Sequence, residues 1–123
     1  MPRKFIVPAA LVVLLAACAS EPKPYIVFFA TDAQNLTPEG RKLVHQIAAQ
    51  AAAEHPARIE IEGQADGATS DQTVLAQARA DTVAHALVEA GIDAKSIDSH
   101  AGAPAEGQTD VAARKVTVTL VQP

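Results

Sequence analysis

"RIEIEGQADGATSDQTVLAQARA", Arg58 to Ala80, is the stretch from which the architecture is read. Ile59 and Ile61 alternate with Arg58, Glu60 and Glu62, the period of two of a strand with one buried face. Gly63 ends the alternation, and Asp66 follows in a loop that bears Gly67 and runs to Ser70. Ser70 is placed to cap a helix. In that helix Leu75, Ala78, Val83, Ala86, Leu87 and Ala90 form the apolar stripe, and Gly91 supplies the stop. The unit is strand, loop, helix.

The flanking segments extend the pattern, with no internal sequence repeat. "YIVFFA", Tyr25 to Ala30, is a continuous β-branched and aromatic run that reads as a buried strand. In "NLTPEGRKLVHQIAAQAAAEHP", Thr37 is the expected N-cap and Pro38 the first helical residue. Leu43, Val44, Ile47, Ala48 and Ala51 recur at helical spacing, and Pro56 closes the segment. "SIDSHAG" reads as a weak strand, and "RKVTVTLV" as a strong one with Val116, Val118 and Leu120 on one face. The order is β-α-β-α-β-β. Two amphipathic helices need a sheet to cover, and the alternating strands need one cover. The expected fold is a two-layer α/β (α+β) sandwich, two helices on a mixed four-stranded sheet.

The chain begins "MPRKFIVPAALVVLLAACAS". Arg3 and Lys4 precede an apolar run from Phe5 to Ala17, the length of a signal peptide's core and shorter than the ~20 residues of a membrane span. "LAAC" ends on Cys18, the only cysteine of the chain, so no intramolecular disulfide is possible. The alternative for Cys18 is an incidental thiol in an ordinary cleaved signal. The pattern resembles the lipobox of bacterial lipoproteins, which implies a signal peptide at 1–17 and an acylated, palmitate-type N-terminus on Cys18. More than one acyl chain gives stable anchoring. In lipoproteins an aspartate after the cysteine favours the inner membrane. Ala19 stands there, which implies the outer membrane, facing the periplasm. Residues 18–24 then form a short linker and 25–123 the domain.

Loss of Arg3 and Lys4 leaves 8 Lys and Arg against 14 Asp and Glu, a formal charge of −6. That balance argues against nucleic acid, which calls for a basic footprint. His45, His55, His85 and His100 lack metal-ligand spacing, and no metal or cofactor is expected. "DSH", Asp98 to His100, does not make a triad by adjacency, since triads are set by geometry. Glu62 beside Asp66 reads as a solvated strand residue rather than half of a glycosidase pair. No catalytic residue and no enzymatic activity is expected.

Arg79 is the residue that needs explaining. It lies four residues from both Leu75 and Val83, so it faces the core side, where an unpaired charge is costly. Helical side chains tilt toward the N-terminus, which aims the guanidinium at the loop carrying Asp66. Two readings are open. Arg79 and Asp66 pair and pin the loop, or they grip a zwitterionic amino-acid end, Asp66 the ammonium and Arg79 the carboxylate through a two-point fork.

Three segments carry a family resemblance. "FFATDAQNLTPEG", "RIEIEGQAD" and "LAQARADTVAHALVEAGID" resemble, in order, the opening strand and helix, the Gly-His-Thr-Asp turn and the Leu-Ser-x-x-Arg-Ala helix of the OmpA-like peptidoglycan-binding domain. That module is found in peptidoglycan-associated lipoproteins. The resemblance implies that the chain binds peptidoglycan, holding the meso-diaminopimelate of the stem peptide with Asp66 and Arg79. Asp32, Gln64 and Gln72 are implied as weaker ligand contacts. Gln64 and Ala65 replace the turn's His and Thr, and Gln72 stands where Asn is usual. Ala30 stands where an Asp is frequent, and "AARKVTV" replaces Asn-Arg-Arg-Val, keeping Arg114 and Lys115. The expected function is noncovalent tethering of the outer membrane to the cell wall. The rival is a lipoprotein of the same fold that has lost wall binding and engages a periplasmic protein partner.

Overall fold

The computed structural model describes residues 24–65, 70–103 and 113–123. The segment expected to be a signal peptide, Cys18, all of the expected linker but Pro24, and Asp66 lie outside the described residues. The elements are β1 (Tyr25–Phe28), α1 (Pro38–Glu54), β2 (Arg58–Gly63), α2 (Ser70–Glu89), β3 (Ile97–Ala101) and β4 (Lys115–Val121). The four strands form one sheet in the order β1-β4-β2-β3. β2 and β3 are parallel and joined through α2; β4 runs antiparallel to both β1 and β2. The two-layer, mixed-sheet arrangement read from the alternation is the one observed.

Local chemistry explains the first helix. Thr37 has extended backbone angles and its Oγ1 accepts from Gly40 N at 2.9 Å, with Pro38 in the first turn. His55 ends α1 in the left-handed region at φ 51°. Val44, Ile47, Ala48 and Ala51 are buried against the sheet, where they meet Val27, Ile59, Ile61, Val116, Val118 and Leu120. The outward positions of β2 and β3, Arg58, Glu60, Glu62, Asp98 and His100, leave the far sheet face polar and open to solvent.

Two expectations are corrected. "YIVFFA" is not a strand buried on both faces. β1 is a four-residue edge strand in which Val27 is buried and Phe28 is 47% exposed, because the sheet has helices on one side only. The buried face of α2 is Ala76, Arg79, Ala80, Val83 and Leu87, whereas Leu75, Ala78 and Ala86 are half-buried and Ala90 is exposed. The helix is turned so that its small residues meet Gly63. A Cβ on Gly63 would stand 2.0 Å from the Ala76 carbonyl oxygen and 3.2 Å from the Ala80 Cβ. That close approach needs Gly on the strand and Ala on the helix, and it carries Arg79 into the interior at the end of the sheet.

Candidate functional site

At one end of the sheet β1, β2 and β3 finish and β4 begins. Each strand end hands over to a loop there, and loop backbone has carbonyls without ladder partners. The turn Ala30–Ala33 is closed by Ala33 N donating to Ala30 O at 3.1 Å, with Asp32 in the left-handed region at φ 55°. Asp tolerates that region better than most residues with a Cβ. Gln64 leaves β2 with its N–H donating to Lys115 O at 2.9 Å, and Gly102 leaves β3 with its N–H donating to Gly63 O at 2.8 Å.

Arg79 reaches into this group of loop ends. It is 1% exposed, and among the described residues it is the one buried charged side chain. Its Nε donates to Ala33 O at 2.8 Å and its Nη1 to Gln64 O at 3.0 Å. Nη1 also reaches Ala113 O at 3.4 Å, and Nη2 donates to Ala30 O at 3.2 Å. The guanidinium lies 5.5 Å from the Phe29 ring centroid. One planar cation thus ties the loop after β1, the exit of β2 and the entry of β4. Burial pushes the pKa of Arg79 down from the ordinary arginine value, the nearby charge of Arg114 adds to that, and the negative charge of Asp32 opposes it. Arginine stays ionised through such a shift.

The candidate contacts are placed differently. Arg79 and Asp32 are brought together: Asp32 is exposed in the turn whose two carbonyls Arg79 binds. Gln64 takes part through its carbonyl. Its side chain lies on the open side of the sheet beside Glu62 and Gly102, where a Cβ on Gly102 would come within 2.4 Å of Gln64 Nε2. Gln72 is half-buried in the first turn of α2. Asp66 lies outside the described residues.

The two-point fork expected of Arg79 is engaged differently. Its Nε and Nη1 are committed to main-chain oxygens, a bonding pattern with no side-chain signature in the sequence. In the sequence Arg114 stands out only as a retained part of the Asn-Arg-Arg-Val motif. In the fold it borders the cluster, its Nη1 donating to Thr31 Oγ1 at 2.8 Å and its carbonyl accepting from Phe29 N at 2.8 Å. The four histidines stay apart, and among the described residues no group of three His, Cys, Asp or Glu is arranged to hold a metal ion.

With this geometry established, comparison with known proteins is informative. The pattern of the OmpA family matches residues 28–119. A comparison with curated proteins gave no match. Among solved structures, the OmpA-like domain of FopA1 from Francisella tularensis superposes with a TM-score of 0.69 at 20% identity, over 81% of this chain and 72% of that one. The peptidoglycan-associated lipoprotein of Burkholderia pseudomallei gives 0.66 at 22% identity, over 76% and 87%. The cell wall anchor of the type VI secretion system from Pseudomonas aeruginosa gives 0.67 at 19% identity, over 89% and 92%.

Proposed function

Since the chain belongs to the OmpA family, we propose that it binds peptidoglycan noncovalently, holding the diaminopimelate of the stem peptide at the loop cluster around Arg79. The observation that carries this reading is the buried guanidinium of Arg79, bonded to the turn after β1, the exit of β2 and the entry of β4 at one rim of the sheet. It gathers the turn bearing Asp32 and the exit toward Asp66 into one rigid frame. The similarity to a peptidoglycan-associated lipoprotein and a cell wall anchor supports the same reading.

In this account Asp66 takes the ammonium of the diaminopimelate side-chain centre, and the positive charge at Arg79 takes the carboxylate on the same carbon. A lysine-type stem peptide lacks that carboxylate and is bound less well. Each charge-assisted bond contributes ~1.5–3 kcal/mol, offset in part by immobilising the wall strand. Grip and release are all that is asked of these groups, so the domain is a binding module rather than an enzyme.

Lipid anchoring through Cys18 completes the proposal. The chain enters β1 at Tyr25, and β1 runs from there toward the rim that holds Arg79. A linker from Cys18 spans at most ~20–25 Å at ~3.3 Å per residue. An anchor at one end of the sheet and a ligand at the other would point the site away from the outer membrane, into the periplasm.

One observation favours the rival reading. Four bonds to carbonyls satisfy Arg79 within the fold, so the arginine has a structural role whether or not a ligand arrives. In that case the domain keeps its frame and serves a periplasmic protein partner. Cosedimentation of the detergent-solubilised full-length protein with diaminopimelate-type sacculi separates the two. The proposal expects the protein in the pellet and its release by free meso-diaminopimelate. Protein left in the supernatant would overturn it in favour of the rival.

A further inference from the structure

β3 lies at the edge of the sheet, with β2 on one side only. Backbone groups along a strand point alternately to its two sides. Gly102 N donates to Gly63 O of β2, so Asp98 and His100 also address β2, while Ile97, Ser99 and Ala101 address the free side. Two of those three donors are used within the chain, Ile97 N on Ala94 O and Ala101 N on Gln77 Oε1 at 3.1 Å. The N–H and carbonyl of Ser99 have no partner among the described residues. Unpaired edge groups are a template for another strand.

The side chains beside Ser99 are complementary to themselves. Asp98 and His100 flank it, both exposed on the open face of the sheet. Asp98 is in register with Glu60, whose carboxylate already holds Arg58 at 2.8 Å, and among the described residues no cation pairs with Asp98. His100 stands 3.9 Å from Glu62, beyond hydrogen-bond reach. With a second β3 laid antiparallel, Ser99 against Ser99, each free N–H meets the other copy's carbonyl. Each Asp98 then faces the partner's His100 as a non-hydrogen-bonded pair, Cα atoms about 4.5 Å apart. An imidazole donates an N–H to a carboxylate in either protonation state.

The helix above repeats the symmetry. Asp81 of α2 accepts from Ser99 Oγ at 3.0 Å and so marks the same point of the edge. Val74 and Val88 stand seven residues to either side of Asp81, on one face of α2, and are 67% and 40% exposed. A two-fold axis at Ser99 sets the two α2 helices antiparallel, Val74 opposite the partner's Val88 and the reverse. Two strand spacings place the helix axes about 10 Å apart, the distance of packed helices. The partner would also cover the shallow groove of about 280 Å³ that Ala84, Val88, Ala94 and Ile97 line along this edge. The two Asp81 carboxylates approach the axis, a repulsion limited by the bonds each accepts from Gln77 and Ser99 of its own chain.

We propose that the domain pairs with a second copy of itself along β3, joining two four-stranded sheets into one with both α2 helices on the same face. The two Arg79 rims then lie at opposite ends of the joined sheet, and pairing does not depend on what they bind. A single anchored copy stands upright on its linker, whereas a pair lies along the membrane, each linker reaching from its own end.

Sedimentation equilibrium of the full-length protein in density-matched detergent, at concentrations up to about 0.1 mM, tests this. Wild type is expected to dimerise. Asp98→Arg and His100→Glu each break the cross-axis pair twice per dimer and are expected to weaken it about tenfold or more. The double variant, which exchanges the signs, is expected to return to within about threefold of wild type. Far-UV circular dichroism checks that each variant is folded. A wild type that stays monomeric at every concentration would overturn the inference. A dimer indifferent to both single variants would do the same by placing the contact elsewhere, as would a double variant no stronger than the singles. None of these results bears on wall binding, which is read separately on sacculi.

Discussion

Replacing Arg79 by Met removes the charge and the donors while keeping a long side chain in the space, so the loss measured is mainly that of the carbonyl clamp. The Ala30 oxygen retains its bond from Ala33 N, but the oxygens of Ala33, Gln64 and Ala113 lose the donor described here. The bonds at 2.8 and 3.0 Å are the strong ones. At ~1.5–3 kcal/mol for a bond to a charged group, those two are worth roughly 3–6 kcal/mol. Relief from burying a cation offsets part of this. A net loss of about 3 kcal/mol is expected, a large share of the ~5–15 kcal/mol that holds a domain folded. For a domain of this size that lowers the unfolding midpoint by about 12–24 °C. Thermal unfolding followed by far-UV circular dichroism gives the number. A change under about 0.5 kcal/mol would refute the clamp and return Arg79 to the status of a ligand residue only. Loss of wall binding in an Arg79 variant therefore has two causes, and Asp66→Ala is the cleaner probe of the ligand.

Other substitutions test separate links. Gly63→Ala would drive a methyl group into the Ala76 carbonyl oxygen at 2.0 Å, so α2 must move off the sheet; a loss above about 2 kcal/mol in urea unfolding is expected, and a neutral result would contradict the close packing. Thr37→Ala removes the cap on Gly40 N and is expected to cost about 1 kcal/mol by the same assay, against only a few tenths for Thr37→Gly. Asp32→Gly relieves the left-handed backbone at φ 55° and is expected to leave stability unchanged or raised, whereas Asp32→Ala lowers it; equal melting points for the two would count against a strained turn. Cys18→Ser is expected to leave an unprocessed, unacylated precursor, and an unmodified Cys18 on a mature chain, read by mass spectrometry, would refute lipidation.

The fold was legible where one physical signal dominated. The alternation about Ile59 and Ile61 placed β2 and its buried face, Val116, Val118 and Leu120 placed β4, and Thr37-Pro38 placed the start of α1. Hydrophobicity alone misjudged α2, because Leu75 carries more apolar weight than Ala76 or Ala80. The helix docks on its small residues instead, where Gly63 leaves room. β1 was misjudged for a related reason: an apolar run tells nothing of whether the strand is central or at the edge. Of the site, the core-side placement of Arg79 followed from its spacing to Val83, and the resemblance supplied Asp32 and Gln64. The clamp did not follow from either, since carbonyl oxygens of Ala30, Ala33, Gln64 and Ala113 are invisible in side-chain identity. Nor did the place of Arg114, which borders the cluster only once the loop after β1 has folded against the start of β4.

A crystal structure of the protein bound to meso-diaminopimelate tests the central claim most directly. The account predicts an ammonium on Asp66 and, on the same carbon, a carboxylate turned to the positive charge at Arg79. A complex in which Asp66 is bonded to an arginine of the site and diaminopimelate lies elsewhere would contradict it.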